Sequence, residues 1–308
     1  MNGLPITDYR LPTTDHRPPA TDPMSRFRLF LMLAPVLAVV LFLFGGGLLL
    51  ALLQSVGYVP GIGRFAFNLD TYRHIFTRPD FYRSLLLTLW IAAASTLLST
   101  LFAIIAALTL RRSFRGKRWV TFIFQLNIPI PHLVGAVGIL FLFAQSGFLA
   151  RLAHLAGLIS EPAQFPALVY DRYALGIILE YVWKTTCFTG LIVLANLQTA
   201  GDAFEDVARN LGATRWQRLR YVILPLIMPG VLTSSILVFA FTFGAFEVPL
   251  LLGQRYPSAL PVLAYRSYTD VDLNARPEAM AMSVIITLIS TALIFIYMRL
   301  VQRGSRMT

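Results

Sequence analysis

Glu180 and Lys184 are charged residues inside a long apolar run. Four positions apart, they share one face of a helix and can pair. Charges in a membrane-type span face a protein interior or a wet cavity. Two uses follow: contact or gating for a solute, or a self-compensating structural pair. Glu247, in the stretch GAFEVPLLLG, is a third charge in an apolar run and has no such partner. Pro249, two residues on, can interrupt a helix there and free backbone carbonyls. An acid in that position either lines a solute path or meets a charge on a neighbouring chain. The four histidines, His16, His74, His132 and His154, lie on separate segments without ligand-like spacing, so no metal site is expected. Cys187 is the only cysteine, which excludes an intrachain disulfide.

A second informative stretch is polar. From Gly201 to Gly230 the chain reads GDAFEDVARNLGATRWQRLRYVILPLIMPG. Asp202 with Glu205 three residues on has the form of a capping box, and Ala203 to Leu211 is helix-forming. Gly212 sits where a left-handed C-terminal cap belongs. Thr214 with Gln217 makes a second box, and Pro225 and Pro229 mark the start of the next apolar run. Two short helices joined at a glycine make a rigid piece that presents side chains to a partner rather than enclosing a pocket.

The elements that carry these residues are membrane spans. Of the 308 residues, 56% are hydrophobic and 13% charged, against roughly 45–50% and 25% in soluble domains. The excess is gathered into six runs: Leu29–Leu53, Arg83 to Arg111, Arg118 to Arg151, Tyr173–Leu197, Val222–Leu252 and Glu278 to Arg299. Each reaches the ~20 residues that a helix needs to cross a bilayer core. The first run is too long for a signal-peptide core and reads as a retained span. Residues 1–28, with five prolines, read as a disordered tail. Pro129 and Pro131 should kink or break the third span. Phe148–Leu158 is short and amphipathic and should lie along the interface.

The net charge of +11 reads as topology rather than nucleic-acid binding. With the N-terminus inside, 16 of the 26 Lys and Arg residues fall on inner segments and nine on outer loops. The compact cluster Arg111–Arg118 carries most weight because short loops obey the positive-inside rule best. The expected architecture is an all-α polytopic membrane protein with six transmembrane helices and both termini cytoplasmic. It comprises a tail (1–28), a first helix (29–53) and a five-helix core (84–302) that contains the 202–225 loop.

That loop resembles the EAA loop of permeases from type I binding-protein-dependent ABC importers. Asp206, Val207 and Ala208 stand at the acidic-Ala-Ala triplet, Gly212 and Ala213 at the Gly-Ala pair, and Leu224 and Pro225 at the Leu-Pro ending. Asp replaces the usual Glu and Val the first Ala, and Glu205 next door could supply the carboxylate instead. The resemblance extends more loosely from Ser84 to Leu300. It implies a multi-pass protein of the bacterial inner membrane that pairs with a second permease subunit. Separate ATPase subunits would dock on the loop, and an extracytoplasmic binding protein would deliver substrate. The absence of a G-x-x-x-x-G-K-[ST] motif agrees with a chain that is not itself an enzyme and carries no cofactor. The wider pattern is closest to polyamine permeases, with ferric iron, thiamine, phosphonate and sugar importers as related cases. A membrane enzyme would need convergent His, Asp or Ser groups, and a channel or receptor would not need the capped loop.

Overall fold

The computed structural model describes residues 23–111, 114–200 and 203–304. Fourteen α-helices are assigned among them. They are α1 (Pro23–Val39), α2 (Gly46–Ser55), α3 (Asp70–Thr77), α4 (Pro79–Leu110), α5 (Lys117–Leu126), α6 (His132–Phe143) and α7 (Phe148–Leu155). There follow α8 (Leu175–Ala200), α9 (Ala203–Asn210), α10 (Arg215–Arg218), α11 (Leu224–Gly244), α12 (Glu247–Leu252), α13 (Leu260–Tyr268) and α14 (Arg276–Gly304). Six helical stretches are long and apolar enough to cross a membrane, as the sequence requires.

The chain divides into two units, one ending at Leu50 and the other beginning at Ala51. In the first, the described helix already starts at Pro23, inside the segment read as a tail, because proline suits a first helical turn. Residues 1–22 lie outside the described residues. Leu29 to Leu50 expose apolar side chains all round, as a span facing lipid or another chain does.

In the second unit, α4 and α8 form the central pair. Among the eleven buried positions of α4, Ser84, Thr88, Ala92, Ser95, Ser99, Ala103 and Ala107 form a stripe of small side chains three or four apart. This stripe lets two backbones approach in a medium where burial against lipid gives no hydrophobic gain. Gly230 does the same for α11: a Cβ there would collide with the Asn196 side chain of α8. Thr100 and Ser235 add an α4–α11 hydrogen bond of 2.9 Å, a contact worth about 0.6 kcal/mol in a membrane.

The third span is broken, as Pro129 and Pro131 require. α5 stops at Leu126 and α6 starts at His132. The two halves run antiparallel to α8, with Phe124 against Gly190, Asn127 against Cys187, and Gly135 against Glu180 and Trp183. After Phe143 the backbone turns extended at Ala144 and Gly147, and α7 leaves as a separate short helix.

One boundary runs further back than expected. Pro225 stands in the first turn of α11 and Pro229 in its second, at the start of the apolar run as the sequence indicated. A π-helical turn at Leu219–Ile223 joins α10 to α11, so helix runs from Arg215 to Gly244. Pro249 interrupts the helix as expected, because its ring would clash with the carbonyl of Ala245, four residues back. The break falls at Ala245–Phe246, and Pro249 occupies the first turn of α12, where a missing N–H costs nothing.

Candidate functional site

Two groups of residues stand out, at one end of the bundle and within it. At the end, α9 is followed by Gly212 with φ +82°, the left-handed cap expected of it. Its amide donates to the Arg209 carbonyl, and that of Ala213 to the Ala208 carbonyl, closing the end of α9. Thr214 and Gln217 form a complete reciprocal capping box at the start of α10. The expected Asp202 cap lies outside the described residues.

The two acids of α9 separate sharply. Glu205 points inward, where Arg111 at the end of α4 donates to its carboxylate at 2.6 Å and Arg218 lies 3.8 Å away. Asp206 points outward, 52% exposed, and among the described residues pairs with the exposed Arg209 at 2.8 Å. Phe204, Val207 and Leu211 are exposed and lie at i, i+3 and i+7, so they share one apolar face beside Asp206. Ala208, Ala213 and Leu224 are half-buried and serve the packing behind that face, while Pro225 is exposed. Phe204, Val207 and Leu211 together form an exposed apolar patch on an otherwise polar loop.

Within the bundle, Glu180 and Lys184 share a face of α8, but each has another partner. Glu180 is fully buried, and its Oε1 and Oε2 lie 3.0 and 3.3 Å from His132 Nδ1. Lys184, 8% exposed, donates to the carbonyls of Asn127 at 2.7 Å, Ile128 at 3.5 Å and Ile130. The mutual pair suggested by their spacing is thus replaced by two separate sets of bonds to the broken third span. Asn127 reinforces them: its Nδ2 donates to the Trp183 carbonyl at 2.7 Å and lies 3.4 Å from Cys187 Sγ. His132 also stacks on Phe241 of α11, with centroids 4.8 Å apart, and meets the Tyr181 ring edge-on. The Tyr181 hydroxyl is buried without a hydrogen-bond partner.

Glu247 does not join them by contact. It is exposed at the first residue of α12, where an acid also suits the helix dipole. Among the described residues no three His, Cys, Asp or Glu side chains are placed to hold a metal ion. Sequence reasoning set His132 aside for lack of ligand-like spacing, and Asn127 and Tyr181 drew no notice. The available signal was that His132 follows the two prolines directly. A polar residue at the lip of a break in a span has backbone or charge to meet.

Residues 99–307 match the model of a family described as the binding-protein-dependent transport system inner membrane component. The chain is 30% identical over 229 residues to the molybdenum transport system permease protein ModB of Mycobacterium tuberculosis, a match covering 71% of this chain and 80% of that one. It is 27% identical over 202 residues to the putrescine transport system permease protein PotI of Escherichia coli, covering 65% of each. It is 30% identical over 268 residues to the thiamine transport system permease protein ThiP of Brucella abortus, covering 84% of this chain and 45% of that protein. Among solved structures, the fold is similar to a chain of a bacterial ABC transporter involved in the import of alginate. The TM-score is 0.76 at 20% identity, over 91% of this chain and 96% of that chain.

Proposed function

The chain belongs to the family of inner-membrane components of binding-protein-dependent transport systems, and from that premise we propose how it couples to ATP and what class of solute it passes. It is a multi-pass subunit of an ABC importer. Energy comes from a separate ATPase that seats the face Phe204, Val207 and Leu211 in a groove, with Asp206 fixing its register. The single observation that carries this reading is the division of labour between the acids of α9: Glu205 is held inside and Asp206 is presented. The positive-inside bias supports a cytoplasmic position for this face. Because α10 and α11 are one helical run, displacement of the docked loop moves the fifth span as a rigid body. A second permease subunit completes the path, and an external binding protein delivers solute.

The solute class best supported is an organic cation, such as a polyamine or thiamine. Glu247 offers an exposed carboxylate at a helix break in the fifth span. Lys184, a buried cation of the fourth span, has its donors turned to backbone carbonyls and none free for an oxyanion. The test is ATP-driven uptake in proteoliposomes holding the whole complex and its binding protein, with putrescine, thiamine and molybdate as solutes. Accumulation of putrescine or thiamine supports the reading, and accumulation of molybdate alone overturns it.

A further inference from the structure

A helix broken within a membrane leaves two needs. Its first half ends in unpaired carbonyls at the negative end of one helix dipole. Its second half begins at the positive end of another. No water from the bilayer core meets these groups, so protein must. Pro129 and Pro131 deepen the imbalance, since they contribute carbonyls to the break but no N–H. α8 answers both needs from one face. The Lys184 ammonium, with three donors, turns to three carbonyls, those of Asn127, Ile128 and Ile130, just past the end of α5. Glu180 holds His132, the first residue of α6. Two residues four apart are separated by about 6 Å along a helix, enough to straddle a short break. Each charge has the sign that the facing half-helix calls for.

We infer that Glu180 and Lys184 form a polarity-matched clasp across the broken third span, and that its job is to position His132 beside Phe241. They are positioning residues. Neither a simple ion pair nor a solute-binding pair requires this order of charges along α8. Gly135 admits the clasp: a Cβ there would lie 2.9 Å from the Trp183 ring and 3.1 Å from Glu180 Oε1. Glu247, exposed on α12, makes no bond to the clasp. The inference rests on the transport reading only for its uptake measurement; the labelling measurement below is independent of cargo.

Cys187 gives a built-in reporter. It is the only cysteine of the chain, is 6% exposed, and is covered by Asn127 at the break. The experiment compares the wild-type complex in membranes with the double exchange Glu180→Lys, Lys184→Glu and with Lys184→Met. The rate at which N-ethylmaleimide labels this chain is measured alongside uptake. An exchange that merely turned an ion pair around would leave both unchanged. A clasp loses both halves, so the exchange should label about tenfold faster, local opening setting the rate, and should lose most uptake. Labelling and uptake within twofold of wild type would overturn the clasp. If the double exchange does not reach the membrane, Lys184→Met decides. Faster labelling with lowered uptake supports the clasp, and wild-type labelling overturns it. Loss of uptake with wild-type labelling in either variant would assign the pair to solute contact instead and also overturn it.

Discussion

Two carboxylates of this protein are each held by basic partners, and their surroundings make them different devices. Glu205, at the end of the bundle, lies between Arg111 and Arg218, with 22% of its side chain still exposed. Glu180, within the bundle, is fully buried against His132. Water near Glu205 can take over from a lost partner, so that cluster contributes on the order of 1–2 kcal/mol and can rearrange. Breaking a buried pair costs about 3–5 kcal/mol, because the charge left behind has nowhere to go. The first is suited to a joint that loads and unloads with each cycle, and the second to a fixed part of the wall.

The largest effect should therefore come from the buried cluster. His132→Leu leaves the fully buried Glu180 without its partner beside the break. Uptake should fall by more than about tenfold, and complex recovered from membranes should fall with it. An effect no larger than that of Glu205→Ala would break the comparison. Next comes the joint itself. Glu205→Ala should leave assembly intact but lower uptake per ATP hydrolysed by about three- to tenfold, given the energy above. Uptake and hydrolysis measured on the same vesicles check this. A joint that is simply structural would lower both together.

Gly212 sharpens the same contrast. Its φ of +82° is the constraint, since a Cβ there would meet nothing within 4 Å. Gly212→Asn should be tolerated. Gly212→Val should cost about 1 kcal/mol of local backbone strain and uncouple hydrolysis from uptake. Equal uptake for the two variants would remove the cap from the mechanism. The smallest effect is expected at Glu247, exposed and free to be replaced by water. Glu247→Gln should raise the KM for cation uptake several-fold with assembly unchanged, a loss of ~1 kcal/mol typical of an exposed charge pair. An unaltered KM would take Glu247 off the path.

What the sequence made legible follows the range of the interactions. The spans could be read because apolar length is local. The Thr214–Gln217 box and the Gly212 cap are encoded within a few residues, and both stand where the pattern put them. The prolines at 129 and 131 announced a break. Its partner on α8 could not be read, because it depends on which α8 residues fall opposite the gap. Glu180 and Lys184 at i and i+4 carry the signature of an ordinary helix pair, and only the antiparallel register of α5 and α6 divides them. The choice between Glu205 and Asp206 was hidden for the same reason. Adjacent residues on a helix point about 100° apart, and Arg111, far away in sequence, decides which faces in. The prolines at 225 and 229 stand at the start of α11 as read, but the π-helical turn before them, which keeps loop and span continuous, has no local signature.

The division between Glu205 and Asp206 is the point on which coupling stands, and cross-linking addresses it directly. With Cys187 replaced by Ser, single cysteines are placed at Val207 and at Glu205, and each chain is assembled with its ATPase subunit carrying cysteines along its docking groove. Oxidation should join the Val207→Cys chain to the ATPase, with a yield that changes when ATP is added, and should leave the Glu205→Cys chain free. Cross-linking through position 205 and none through 207 would contradict the docking face.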